Sequence, residues 1–109
     1  MEYGLKPEVI ANINRVLAAH PGVEQALLYG SRAKGNYRPG SDIDLCLVGD
    51  TLTLTQLLKI ENEIDDLLLP YKIDLSLFHT LDNQEFIEHI QRVGVAFYLP
   101  GCLAERKPL

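Results

Sequence analysis

Apolar residues recur along the chain with two distinct periods, and the switches between them mark the elements. Val9, Ile13, Val16 and His20 follow one another at helical spacing behind Pro7, a residue well suited to a helix's first turn, and Pro21-Gly22 stops the run. Val23 to Tyr29 reads as a short buried strand that ends at Gly30. Residues 31–41 are rich in Gly, Ser, Asn and Pro, which predicts a loop with room for one helical turn near its start. The period then changes to two. From Ile43 to Val48, Ile43, Leu45 and Leu47 fall on one face and Asp44, Cys46 and Val48 on the other, and Gly49-Asp50 closes the strand.

A helix fits 53–69, because Leu57, Ile60, Ile64 and Leu67 recur at spacings of three and four, and Pro70 terminates it. Lys72 to Phe78 alternates again, with Ile73, Leu75 and Leu77 opposite Asp74 and Ser76. Asp82 followed by Glu85 resembles a capping box for a helix whose apolar stripe is Phe86, Ile90 and Val93. Val95 to Tyr98 reads as a last short strand, and the tail 100–109 has little pattern and is expected to be loose. This order implies an α+β fold, a small mixed β-sheet flanked by helices.

Composition narrows the class. The 109 residues carry no repeat, low-complexity stretch or linker, which predicts one domain spanning 1–109. With 47% hydrophobic and 23% charged residues, the chain is an ordinary globular sequence rather than a disordered one. No apolar run approaches the ~20 residues that span a bilayer, and Met1-Glu2-Tyr3-Gly4 lacks the start of a secretory signal. Cys46 in an apolar run and Cys102 in the tail read as two reduced thiols, so the expected location is the cytoplasm. A net charge of -5 argues against a general nucleic-acid surface. The charge is uneven, however. From Gly30 to Ser41 the only charged residues are Arg32, Lys34 and Arg38, and the pair Asp42 and Asp44 follows at once.

That juxtaposition carries the chemistry. Asp42 and Asp44 stand two apart at the start of a strand, so their side chains project from one face ~6.5–7 Å apart along the chain. Unpaired, such carboxylates repel each other and resist desolvation. A magnesium ion, which takes oxygen ligands from one or two carboxylates and substrate phosphates, removes the penalty. Two ions ~3.5–4 Å apart stabilise the attacking and leaving oxygens of an in-line displacement. A third carboxylate is then wanted from another segment, and Asp74, inside the otherwise apolar Ile73-Asp74-Leu75-Ser76-Leu77, is the best candidate. Gly30 lets the backbone approach an anion, and Ser31 offers a hydroxyl and an N–H to phosphate oxygens. Arg32, Lys34 and Arg38 read singly as solvated loop charges. Arg32, the cation nearest Ser31, and Ser41, beside the carboxylate pair, complete the nucleotide-binding candidates.

At these residues the chain resembles the minimal nucleotidyltransferases (MNT) of the DNA polymerase beta-like superfamily. Gly30-Ser31, a short loop, Asp42-x-Asp44 on a strand and Asp74 on a later strand follow that family's pattern, roughly from the first helix to Val95. The resemblance implies the nucleotidyltransferase fold, phosphate-binding positions at Gly30 and Ser31, and metal-binding positions at Asp42, Asp44 and Asp74. It further implies transfer of an NMP, AMP from ATP or another NTP, with Mg2+. Family members this small often pair with a HEPN-domain toxin as its antitoxin, in some pairs adenylylating a toxin tyrosine. A HEPN-domain partner and a hetero-oligomer are therefore expected. Two other functions compete: a non-catalytic antitoxin or regulatory subunit that neutralises its partner by binding, and the catalytic subunit of a two-protein transferase acting on a small molecule.

Other motifs fail on spacing. No Gly-Lys-Ser/Thr follows the glycines, which excludes a P-loop. Apolar residues follow Asp42-Ile43-Asp44 where a calcium loop needs further ligands. His20, His79 and His89 have no second ligand at zinc spacing.

Overall fold

The computed structural model describes residues 3–99, so the tail 100–109 and Cys102 lie outside the described residues. Helix α1 (Pro7–Ala18) starts at a proline, whose missing N–H would be unpaired there in any case, and buries Val9, Ile13 and Leu17. It stops before His20 because His20 precedes a proline, a position that disfavours helical backbone. Freed from the helix, His20 places Nε2 2.9 Å from Oε1 of Glu63 and ties the end of α1 to a later helix.

Strand β1 (Gln25–Tyr29) leads through the short helix α2 (Ser31–Lys34) and a loop into β2 (Ile43–Val48). Helix α3 (Leu54–Asp65) crosses to β3 (Ile73–Leu77); a 3₁₀ turn (Phe78–Thr80), α4 (Gln84–Val93) and β4 (Val95–Tyr98) follow. The sheet order is β3-β2-β1-β4, with β1 antiparallel to both β2 and β4, and β2 parallel to β3. This is a mixed sheet with helices on both faces. Among the described residues no helix is long and apolar enough to cross a membrane.

Element ends depart from the expected ones for local reasons. Helix α3 ends at Asp65 rather than at residue 69: Leu67 and Leu68 turn back onto Ile64 and Asp65, and Leu68 takes a left-handed φ of 54°. A side chain with a Cβ resists that conformation, and the next residue precedes Pro70, so the helix has no continuation. Its start carries a capping box between Thr53 and Gln56, a pair that the apolar pattern does not reveal. For α4 the cap is Asn83, whose Oδ1 accepts from the Phe86 N–H at 3.1 Å, instead of the expected Asp82 and Glu85 pair.

Period-two alternation sorts the sheet into two unlike faces. Ile43, Leu45, Leu47, Leu75 and Leu77 join α1 and α3 in the main core. On the opposite face Tyr29 and Cys46 pack with Ile90, and Leu27, Phe78, Phe86 and Val93 flank them, so α4 covers only part of it. What it leaves open is the end carrying Asp42, Asp44 and Asp74. Truncating Ile13, fully buried between α1 and the sheet, tests the core: Ile13→Ala is expected to lower the unfolding free energy by about 2–5 kcal/mol in urea melts. An unchanged midpoint would contradict that packing.

Candidate active site

The sheet's pairing brings the candidates together. Asp44 faces Asp74 across the parallel β2–β3 ladder and Tyr29 across the antiparallel β1–β2 ladder. Cross-strand partners share a face, so Tyr29, Asp44 and Asp74 form a row across three strands. Asp42 lies two residues before Asp44 at the mouth of β2 and is exposed, as is Asp74, whereas Asp44 is half-buried between them. Burial, then the negative charge of Asp74, then that of Asp42, push the Asp44 carboxyl above its ordinary range. Among the described residues none of the three carboxylates has an ion-pair partner.

Gly30 closes the site from the β1 side. The chain turns there with φ 76° and ψ −157°, a conformation open essentially to glycine alone. A Cβ at this position would run into the Asp44 carboxylate, meeting Oδ2 first and Cγ at 3.3 Å. Gly30 is therefore needed twice, for its backbone and for the space it leaves. Ser31 opens α2 immediately beyond, and the turn is closed by the Lys34 N–H to Gly30 O (3.1 Å) and the Gly35 N–H to Ser31 O (2.9 Å).

The remaining candidates have other settings. The Ser41 hydroxyl accepts the Arg38 N–H at 2.8 Å and closes the loop before Asp42. Lys34 and Arg38 are exposed. Arg32, expected against phosphate, is instead buried, its guanidinium donating to backbone carbonyls. Three groups to which the residue pattern assigns no part in the site, Tyr29, Cys46 and Ser76, lie in this row or next to it. Burial pushes up the Tyr29 hydroxyl, with Asp74 and Asp44 adding to the effect, and burial likewise raises the Cys46 thiol. The Ser76 hydroxyl is close enough to both to offset part of this, yet it lies outside strict hydrogen-bond geometry. Only the strand register, which periodicity does not supply, reveals that Tyr29 stands beside Asp44.

The donor set suits a hard cation: carboxylate oxygens, with the one nearby sulfur buried below them. Among the described residues no three His, Cys, Asp or Glu side chains stand as a group that could hold a metal ion by themselves. Such an open arrangement leaves positions for phosphate oxygens and water, the usual magnesium pattern.

A family model described as polymerase beta, nucleotidyltransferase, matches residues 11–99. The fold is shared with several solved structures. A toxin–antitoxin complex with AMP-PNP aligns at TM-score 0.68 and 19% identity, over 88% of this chain and 77% of that one. The toxin–antitoxin MntA–HepT aligns at 0.64 and 17%, over 92% and 78%. A tri-AMPylated Shewanella oneidensis HEPN toxin in complex with its MNT antitoxin aligns at 0.65 and 16%, over 93% and 78%. No curated protein matches the chain in sequence.

Two outcomes follow from this geometry. Because the native state holds the Asp44 proton more tightly than the unfolded chain does, this group favours folding only while protonated, and the contribution is lost as pH rises through the raised native value. Asp44→Asn is accordingly expected to melt above wild type at neutral pH without added cation, the gap closing below the ordinary carboxylate range; a lower melting temperature at neutral pH would contradict it. Gly30→Ala is expected to lower stability by about 1–3 kcal/mol from backbone strain, read in urea melts, and to displace Asp44.

Proposed function

The chain belongs to the polymerase beta nucleotidyltransferase family, and from that premise we propose that Asp42, Asp44 and Asp74 form its reaction centre and Gly30 and Ser31 its phosphate cradle. The observation that carries this reading is the pairing of Asp44 with Asp74 across β2 and β3, with the Gly30 backbone set against the Asp44 carboxylate. Asp42, Asp44 and Asp74 would hold Mg2+, two ions when nucleotide is present, and these supply charge neutralisation at the phosphates.

The chain's own groups do the rest. Backbone N–H groups at Gly30 and Ser31 orient the triphosphate, since glycine admits the anion closely and the Ser31 hydroxyl adds a donor. Asp74, exposed at the rim, takes the proton from the acceptor hydroxyl. The acceptor oxygen then bonds to the α-phosphorus, the bond to the bridging oxygen breaks, and pyrophosphate leaves. Entering positive charge favours the ionised form of Asp44, against the burial and the charges of Asp74 and Asp42 that raise it.

For the substrates we infer ATP as donor and a tyrosine of a HEPN-type toxin as acceptor, the chain acting as antitoxin in a hetero-oligomer in the cytoplasm. Support comes from the similar folds, one found in a toxin–antitoxin complex with AMP-PNP and another beside a tri-AMPylated HEPN toxin. Leu54, Leu58 and Leu68, exposed along and just beyond α3, are the apolar surface such a partner would cover.

The test incubates the chain with α-labelled ATP, Mg2+ and the protein that copurifies with it. Wild type is expected to label the partner, Asp42→Asn with Asp44→Asn to abolish labelling, and Asp74→Asn to slow it by about 10²–10⁴-fold, the range for loss of a general base. Equal labelling by wild type and the double variant would remove these residues from the reaction. Neutralisation that survives the double variant would make binding the main mode.

A further inference from the structure

Arg32 is the one charged side chain in the described core, 1% exposed, and nothing in the reaction outlined above uses it. Its guanidinium donates through Nε and Nη2 to the Ser41 carbonyl (3.2 and 2.9 Å), through Nη2 to the Pro39 carbonyl (3.2 Å), and through Nη1 to the Tyr3 carbonyl (2.8 Å). The rings of Tyr37 and Tyr71 lie over it, with centroids 5.3 and 5.0 Å away. Among the described residues no carboxylate pairs with it. A buried cation without an anion is destabilising unless its donors are met and its charge is used.

What it holds is the segment that delivers Asp42. Side chains 34–40 are all exposed, so this loop has no apolar anchor of its own. At its end, the carbonyls of Pro39 and Ser41, on either side of Gly40, are the ones Arg32 grips. On the other side of Asp42, the Ile43 N–H donates to the Lys72 carbonyl at 2.8 Å and begins the β2–β3 ladder. Asp42 is thus pinned between a guanidinium clamp and a strand, whereas Asp44 is held by the strand alone.

We propose that Arg32 is a positioning residue that fixes Asp42 through the Ser41 and Pro39 carbonyls, with the backbone at Tyr3 as the clamp's outer jaw, and so sets the affinity of the carboxylates for a divalent cation. Gly4 completes the jaw: at φ 72° it packs so closely that a Cβ would meet the Tyr37 ring and come within 3.0 Å of Arg32 Nη1. A remote N-terminal backbone position thereby bears on the site. The inference rests on the cation reading of the previous subsection.

The experiment titrates the folded protein with Mn2+ alone, followed by electron paramagnetic resonance well below the melting temperature, with folding checked by circular dichroism. Arg32→Met is expected to bind Mn2+ about 10–100-fold more weakly, the range for loss of a group that orients a metal ligand. Arg32→Lys is expected to stay weak, because one ammonium cannot span the carbonyls that the planar fork joins. Gly4→Ala, which leaves Arg32 in place and displaces its surroundings, is expected to weaken binding in the same direction and decides the matter if Arg32→Met does not fold. Wild-type affinity in Arg32→Lys, or in folded Gly4→Ala, overturns the clamp. Failure of wild type itself to bind Mn2+ overturns the cation reading, and the clamp with it.

Discussion

Strand β2 has to hold Asp44 beside Asp74, with Asp42 just ahead of it, without being pushed from β3, and its opposite face makes this possible. Neighbouring strands lie about 4.8 Å apart, a spacing at which two unit charges repel by about 1 kcal/mol in a water-like medium and about 3.5 kcal/mol at the effective value typical of a protein surface. Exposure of Asp74 brings its share towards the lower figure. Against this stand Ile43, Leu45 and Leu47, all fully buried under α1 and α3; each contributes about 1.5–3 kcal/mol on burial. The apolar face outweighs the acidic one. The ladder to β3 therefore keeps Asp44 opposite Asp74, with Tyr29 and Gly30 set beside that pair from β1.

The same arrangement explains why the site is built from unlike supports. Asp44 and Asp74 sit on paired strands, where backbone hydrogen bonds fix them, and Gly30 presses its backbone on Asp44 because it has no side chain to keep it away. Asp42 lies just outside the ladder, where a loop with exposed side chains would leave it loose. Side-chain-to-backbone bonds do there what strand pairing does for the other two. The three carboxylates combine one rigid pair with one strapped residue, Asp42 and Asp74 exposed and Asp44 half-buried between them.

How much of this was readable in the residues depends on how local each feature is. Alternation in Ile43–Val48 and Ile73–Leu77 is a property of consecutive side chains, so β2 and β3 follow from the sequence with ends right to within a residue. Where α3 stops was less legible, because Leu68 yields to a left-handed turn that its apolar pattern hides. The α4 cap shifted by one residue to Asn83, since Asp82 and Asn83 are both cap-forming residues and the sequence pattern does not choose between them. Arg32 was misread for a stronger reason. A cation in a glycine-rich loop is usually solvated, and its burial depends on carbonyls at Tyr3, Pro39 and Ser41 and on the Tyr71 ring, contacts that no spacing rule predicts. The bridge from His20 to Glu63, 43 positions apart, escaped for the same cause.

The parallel pairing of β2 and β3 also separates the two ends of the molecule. Asp42 and Asp74 lie near the starts of their strands, so the connection leaving β2 runs at the opposite end of the sheet. There Gly49 packs on the backbone carbonyl of Gly22 and Thr53 caps α3, fixing both sides of the exposed tip Asp50-Thr51. Extra chain inserted at that tip begins and ends at anchored points and never approaches the carboxylates. The fold thus has a place where it can be lengthened, tethered or fused to other modules while its chemistry stays as it was, and descendants of such a chain can diversify there without renegotiating the strand pairing that holds the aspartates.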